Sequence, residues 1–356
     1  MTTKKLILHN NSQSQRQRHS PIIKFYAVNK EVIRYNAGLQ QKKDNNGKYK
    51  YGDDNLYPQY LYELYKRTPS LRSIIDGIKR ELLKRLQIID SIKLSKNDLE
   101  LIIYDYIIFG GFVVKKLLNN NKEIYCITHI PFERIRVKLN KDNEYSYIYS
   151  PDWTNKYSTH EEYEINDVIY VGSTVREVYP EPIWSAAVPA CLIEQRTSDF
   201  HLNAINNGFQ SNLLVNVNGF YNDEQKDEFE KNFNDKLCGT ENGARVMFSF
   251  NEGDAKSTEL NPIDIPDFND KYNNLQEWAR QVIFTAFHTS PAVFGIHTEN
   301  NGFSSEEYQH NYSLYINGLI LPLAEELTVH INNINAGIIG INDSSDNLIK
   351  SDIKEE

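Results

Sequence analysis

The sequence contains no apolar run near the ~20 residues that cross a bilayer, and its N-terminus lacks the apolar core of a secretory signal. Both absences lead to the expectation of a chain made in a cytoplasm and not secreted, with no membrane partner. Cysteine is scarce: Cys126, Cys191 and Cys238 lie far apart and form no CxxC pair. A disulfide scaffold and a zinc ribbon are thereby disfavoured, and a reducing compartment fits. Positive charge is in deficit, with 39 Lys and Arg against 48 Asp and Glu and a net charge of −9. A protein that grips duplex DNA by its phosphates needs a basic surface, so tight bulk binding is excluded, while a surface past which DNA slides is not. Phosphate cradles are missing too: "FGGF" (109–112) has too few glycines and no following Lys-Ser/Thr. No cofactor is expected. Nor is catalysis, because there is no G-x-S-x-G and no Cys beside a His in a supporting motif.

What the chain has in excess is tyrosine, 23 residues of 356. Tyrosine joins apolar area to a polar tip and suits large, partly wet interfaces. Compositional drift that also raises Asn, Ile and Lys accounts for it equally well. The chain is long enough for two or three subdomains around a sizeable core.

Periodicity organises the rest. Residues 1–22 are polar and basic and read as a flexible arm, or as an arm ordered on a neighbouring subunit. "GDDN" (52–55), before Pro58, reads as a turn and not as a metal carboxylate pair. "TPSLRSIIDGIKRELLK" places Thr68 as N-cap and Pro69 at the first helical position, with Leu71, Ile74, Ile75, Ile78, Leu82 and Leu83 at helical spacing. A second helix, 97–111, ends at Gly110-Gly111. Short strands at 112–118, 123–130, 134–139, 145–150 and 167–172, separated by turn clusters, read as one antiparallel meander. A helix over 182–209 must hold Pro189 near its start. Strand 212–218, helix 222–237 and strand 244–250 form a compact insertion before the next helix, 268–288, with Leu275, Trp278, Ala279, Val282, Ile283 and Ala286 in one stripe. Ser304 and Glu307 make a capping box for a last long helix, which Pro322 should kink. The sum is an α+β fold.

The stretch "FHTSPAVFGIHTENNGFSSEEYQHNY" (287–312) poses the functional question. His288, His297 and His310 lack the close pair that fixes zinc geometry, so no metal site is expected. Pro291 and Gly295 break the preceding helix, and about a dozen residues must bridge to the next. Two rival readings are a metal-dependent DNA-processing enzyme of a mobile element with those histidines as ligands, and a monomeric Tyr-rich adaptor. Stoichiometric metal with a monomeric mass discriminates the first; a monomer without metal, the second.

The order of elements resembles the bacteriophage portal (head-to-tail connector) proteins of tailed double-stranded DNA phages, over most of residues 50–335. The residues that carry the resemblance are "DYIIFGGFVVKK", "IYCITHIPFERIRVKL" with "YSYIYSPDW", "INDVIYVGS", "WSAAVPACLIEQ…NAINNGF", "EQKDEFEKNFNDKLCGTENGARVMFSF", "AFHTSPAVFGI" and "FSSEEYQHNYSLYINGLILPLAEEL", in that sequence. His-Thr-Ser stands where the family often has Gly-Val before the Pro, and the short stretch after 336 leaves little for a crown.

The resemblance implies a homo-oligomeric ring of about twelve subunits at one capsid vertex, through which duplex DNA passes without sequence-specific binding. It implies the terminase large subunit, the major capsid protein and a head-tail adaptor protein as partners, in the virion. It also implies a division of the chain: arm 1–49, antiparallel β and helical wing 50–181, stem helices 182–208 and 266–289, a small α/β clip 209–265, tunnel loop 290–303, a kinked wing-to-crown helix 304–336 and a tail 337–356. His297, Thr298, Glu299, Asn300, Asn301 and Gly302 would line the channel, anchored by Pro291, Phe294, Gly295 and Phe303. Leu275, Trp278, Val282 and Ile283 would make stem contacts between subunits. Asp227, Glu228, Glu230 and Lys231 would face terminase. About twelve copies of a −9 chain carry roughly −108, and an acidic wall keeps DNA from sticking as it moves.

Overall fold

The computed structural model describes residues 43–155, 157–172, 178–206, 213–218, 222–233, 246–251, 268–296 and 305–342. Helix and antiparallel sheet are mixed along the chain. The helices are α1 (Tyr57–Arg67), α2 (Pro69–Arg85), α3 (Lys96–Phe109), α4 (Val188–Asn206), α5 (Asp223–Phe233), α6 (Phe268–Ala286), α7 (Ser305–Tyr315) and α8 (Leu321–Ile334). The strands are β1 (Leu86–Ile88), β2 (Gly111–Leu118), β3 (Ile124–Ile130), β4 (Ile135–Leu139), β5 (Tyr145–Tyr149), β6 (Glu161–Glu164), β7 (Val168–Gly172), β8 (Leu213–Asn218), β9 (Val246–Asn251) and β10 (Ile339–Ile341).

Helix α2 is the hub. It packs on α1, α3, α6 and α8, and Leu71, Ile74, Ile75, Ile78 and Leu82 are all fully buried. Each such side chain contributes about 1.5–3 kcal/mol. Thr68 takes the N-cap backbone conformation, but its hydroxyl does not cap the helix. It accepts instead from Gln195 Nε2 at 2.9 Å, and the Glu194 carboxylate receives the Ser70 N–H (3.1 Å) and hydroxyl (2.9 Å). The start of α2 is thus capped from α4, 124 residues away.

The expected single meander is two sheets. Strands β3-β2-β7 form one and β4-β5-β6 the other, both antiparallel, with β7 returning to pair with β2. The break comes at Pro131 and the 3-10 turn Phe132–Arg134, which lead the chain out of the first sheet. Buried Phe132 stacks on Phe109 at 5.2 Å, and its N–H is received by the buried Asp105 carboxylate at 3.0 Å. Burial raises the pKa of Asp105; its 2.6 Å contact with His129 Nε2 acts the other way.

Two boundaries shift from expectation. Residues 47–49 are not loose arm: Tyr49 N donates to Val137 O and Leu139 N to Gly47 O, both at 2.9 Å, so this stretch lies along β4. Residues 339–341 are not tail either, because β10 pairs with β1, Leu86 opposite Ile341. Pro322 is taken up by a π-helical turn, Ile316–Ile320, in which Leu321 N reaches back to Ile316 O. A proline ring clashes with the carbonyl four residues earlier, and the extra residue of a π-turn shifts that carbonyl away. The expected Ser304 cap lies outside the described residues.

The "GDDN" stretch is a turn. Asn55 has a φ of +64°, and Arg136 fixes it by donating from Nε to Asn55 Oδ1 (2.8 Å) and from Nη2 to Asn55 O (2.6 Å). The other guanidinium hydrogens go to Glu133 O, Ile135 O and Gln59 Oε1. Fully buried, this guanidinium has its pKa lowered to about 10, burial being the main cause. Insertion of a charge without a bonded carboxylate is tolerable because every donor is satisfied.

Candidate functional site: the paired helices and the loop that follows them

Helices α4 and α6 flank the inserted strand–helix–strand segment in sequence and pack on each other in space. Phe200 of α4 stacks on Tyr272 of α6, centroids 4.3 Å apart and planes at 12°, while the charge of Arg280, further along α6, acts on Glu194, nearer the start of α4. The two helices therefore run antiparallel. Their root is fastened to the α1–α2 corner by Glu194 and Gln195 and by an Arg67–Asp199 ion pair at 3.3 Å. Burial raises the pKa of Glu194, against the hydrogen bonds from Ser70 and the charge of Arg280.

The stripe on α6 divides in two. Ala279 and Ile283 are fully buried by the chain itself, as are Phe284 and Phe287. Ile283, expected at a contact between subunits, is therefore a core residue: its side chain has no surface left to offer a neighbour. Val282 is partly buried against the same core. Leu275 and Trp278 remain 40 % and 49 % exposed, and on α4 Leu202 is 57 % exposed. A half-open tryptophan on a packed helix is the kind of anchor that interfaces use.

The chain leaves α6 through His288, which has a φ of +50°, and enters a 3-10 turn, Pro291–Phe294, closed by Gly295 in the left-handed region (φ +73°). The Ser290 hydroxyl caps it by accepting from Ala292 N. Phe294 packs edge-on to Phe284 (5.5 Å) and Tyr315 (5.8 Å), which ties the loop base to α6 and to the helix beyond. Its ring also lies over Gly77 of α2, where a Cβ would stand 2.5 Å from Phe294 Cε1. A glycine in the middle of a strongly periodic helix was the sequence signal for this contact. Residues 297–303 lie outside the described residues, so the expected channel-lining segment His297–Gly302 and the anchor Phe303 are not placed.

In the insertion, β8 and β9 pair in parallel, Leu213 opposite Val246, with α5 between them in sequence. Asp227 and Glu228 are exposed on α5; Glu230 and Lys231 occupy its next turn. Among the described residues no group of three or more His, Cys, Asp or Glu could hold a metal ion, and no helix is long and apolar enough to cross a membrane. His288 and His310 are both exposed; His297 is outside the described residues.

Comparison with known proteins bears on this architecture. A probable portal protein of Haemophilus phage HP1 is 20 % identical over 245 residues, spanning 67 % of this chain and 69 % of that one. An HK97-family phage portal protein from Corynebacterium diphtheriae has a similar fold, with a TM-score of 0.52 at 9 % identity, covering 80 % of this chain and 95 % of the other. A chain in the neck of a native gene transfer agent particle, computed with C12 symmetry, gives a TM-score of 0.53 at 14 % identity, covering 80 % and 84 %. The family model for phage portal proteins matches residues 95–350, from α3 through α4, the insertion, α6 and α8 to beyond β10, and the chain belongs to that family.

Proposed function

We propose that this phage portal protein assembles as a closed ring of about twelve copies at one capsid vertex. Duplex DNA would enter and leave through its central channel, and the terminase large subunit, the major capsid protein and a head-tail adaptor would dock on it. The observation that carries the reading is the divided stripe of α6. One half holds the subunit together, and the other leaves Trp278 and Leu275 open on a helix whose partner α4 adds Leu202. Family membership and the fold shared with a neck computed with C12 symmetry support it.

On this reading α4 and α6 are the stem, and the insertion 209–265 is the clip that presents Asp227, Glu228, Glu230 and Lys231 to terminase. The segment His297–Gly302 is small and polar with one charge, Glu299, and no Lys or Arg. It would narrow the bore without gripping phosphate. The protein guides DNA and performs no chemistry on it; the motor supplies the work.

Electron microscopy of the purified full chain tests the proposal. Rings with a central hole are expected, with Trp278 between subunits, 297–302 at the narrowest point and the insertion at one end. Monomers, or rings with 297–302 on the outer rim, would contradict it.

A further inference from the structure

The charge of the chain is unevenly divided. Residues 1–42 hold eight Lys and Arg against a single acidic residue, Glu31, hence +7, which leaves −16 for the remainder of a chain of net −9. The arm is thus a strongly basic tail on a strongly acidic body. It joins the described structure at one edge of the β4-β5-β6 sheet, where residues 47–49 lie along β4.

The opposite edge of that sheet is β6, with no strand beyond it among the described residues. An edge strand leaves alternate N–H and C=O groups unpaired and invites another strand. Residues 140–167 around it carry seven carboxylates against two lysines. Glu162 is already matched by Lys138 at 2.8 Å, and Glu161 accepts from the Tyr163 hydroxyl at 2.8 Å; Glu161 and Glu164 lie on opposite faces of an exposed strand, beside exposed Glu144 and Asp167. The arm contains a complementary stretch: residues 22–35, "IIKFYAVNKEVIRY", combine β-branched and aromatic residues with Lys24, Lys30 and Arg34.

We propose that the N-terminal arm of one copy adds as a strand to the β6 edge of the next copy, with Lys24, Lys30 and Arg34, which share one face of a regular strand, set beside the carboxylates of that edge. Donor and acceptor lie on opposite edges of one sheet, so each copy would give an arm to one neighbour and take one from the other. Such a head-to-tail contact closes into a ring where the rotation between copies divides a full turn. Main-chain pairing supplies affinity and the opposed charges supply register, the logic of strand addition elsewhere. Reach is not limiting: 42 residues span up to roughly 140 Å when extended. The proposal rests on the ring reading.

The test uses rings assembled from a mixture of isotopically heavy and light full-length chains, treated with a carbodiimide that joins lysine amines to carboxylates. Heavy–light peptides linking Lys24 or Lys30 to Glu161 or Glu164 are expected. In parallel, trypsin should cut wild-type rings slowly at Lys30 and Arg34, and rapidly once Glu161→Lys and Glu164→Lys are introduced. Links confined to one chain, links from the arm to other surfaces, or cutting that the variant leaves unchanged would overturn the arm proposal while rings persist. Monomers without links would overturn the ring reading and the arm proposal with it.

Discussion

Helices α2 and α6 carry apolar side chains at the same three- and four-residue spacing, yet α2 hides nearly all of its stripe within one subunit, with Leu83 left partly covered. Leu71, Ile74, Ile75, Ile78 and Leu82 are fully buried because α1, α3, α6 and α8 surround them. On α6 the half around Ala279 and Ile283 is covered in the same way, while Leu275 and Trp278 stay open. Periodicity tells which face of a helix is apolar; it does not tell which molecule covers that face. The stripe on α6 is wider than its own chain covers, and on the proposed ring reading the surplus is what joins subunits.

The largest effect that sharpens this contrast belongs to the covered half. Ile283→Ala should destabilise the subunit by about 2–5 kcal/mol, because the surrounding core closes only partly on the cavity. Urea unfolding of the monomeric or dissociated protein reads this directly. A loss below half a kilocalorie would mean that Ile283 is not the core residue its burial indicates.

A smaller effect is expected at Gly77, where α2 meets the loop after α6. In an exposed helix Gly→Ala stabilises by about 1 kcal/mol. Here the added methyl collides with the Phe294 ring, and overpacking of this kind costs about 1–3 kcal/mol. Gly77→Ala should therefore lower the unfolding midpoint, and Phe294→Leu should relieve the collision. A raised midpoint would show that Phe294 does not sit over α2.

The smallest concerns Glu194, which caps α2 from α4. Its folded-state pKa is raised, so the folded protein holds this proton more firmly than the unfolded chain does. That stabilisation is complete below the unfolded pKa, near 4, and is lost as pH rises through the folded value. Glu194→Gln keeps an oxygen for Ser70 and cannot titrate. The stability of the variant relative to wild type should therefore grow as pH rises through that window and then level off. A difference independent of pH would place the Glu194 carboxyl in the same environment folded and unfolded.

Much of this architecture could be read locally. Gly110, at φ +78°, ends α3 where the Gly-Gly pair foretold it, and Pro189 sits in the first turn of α4. What escaped was whatever depends on partners far along the chain. Strands β1 and β10 are three residues each and meet across about 250 positions, with no local signal to announce them. The split of the expected meander turned on where Phe132 is buried, not on any strand's own pattern. Helix α1 escaped because its core face is largely tyrosine, Tyr57, Tyr60 and Tyr65 beside Leu61 and Leu64, in a chain where tyrosine is common everywhere. At the site, Pro291 and Gly295 bracket the turn from which Phe294 packs on Phe284 and Tyr315, whereas Ile283, expected at a contact between subunits, is buried within its own chain for the reason α6 illustrates.

The central claim is that the open half of α6 joins subunits while the covered half folds them. The mass of the Trp278→Asp variant in solution, measured by light scattering beside wild type, tests this most directly. Because Trp278 is half-exposed in the subunit, a carboxylate there should leave the far-UV spectrum and the thermal midpoint of the separated chain unchanged. The account predicts a wild-type particle of about twelve chains and a variant that runs as monomers. A variant that forms rings of wild-type mass and stability would contradict it.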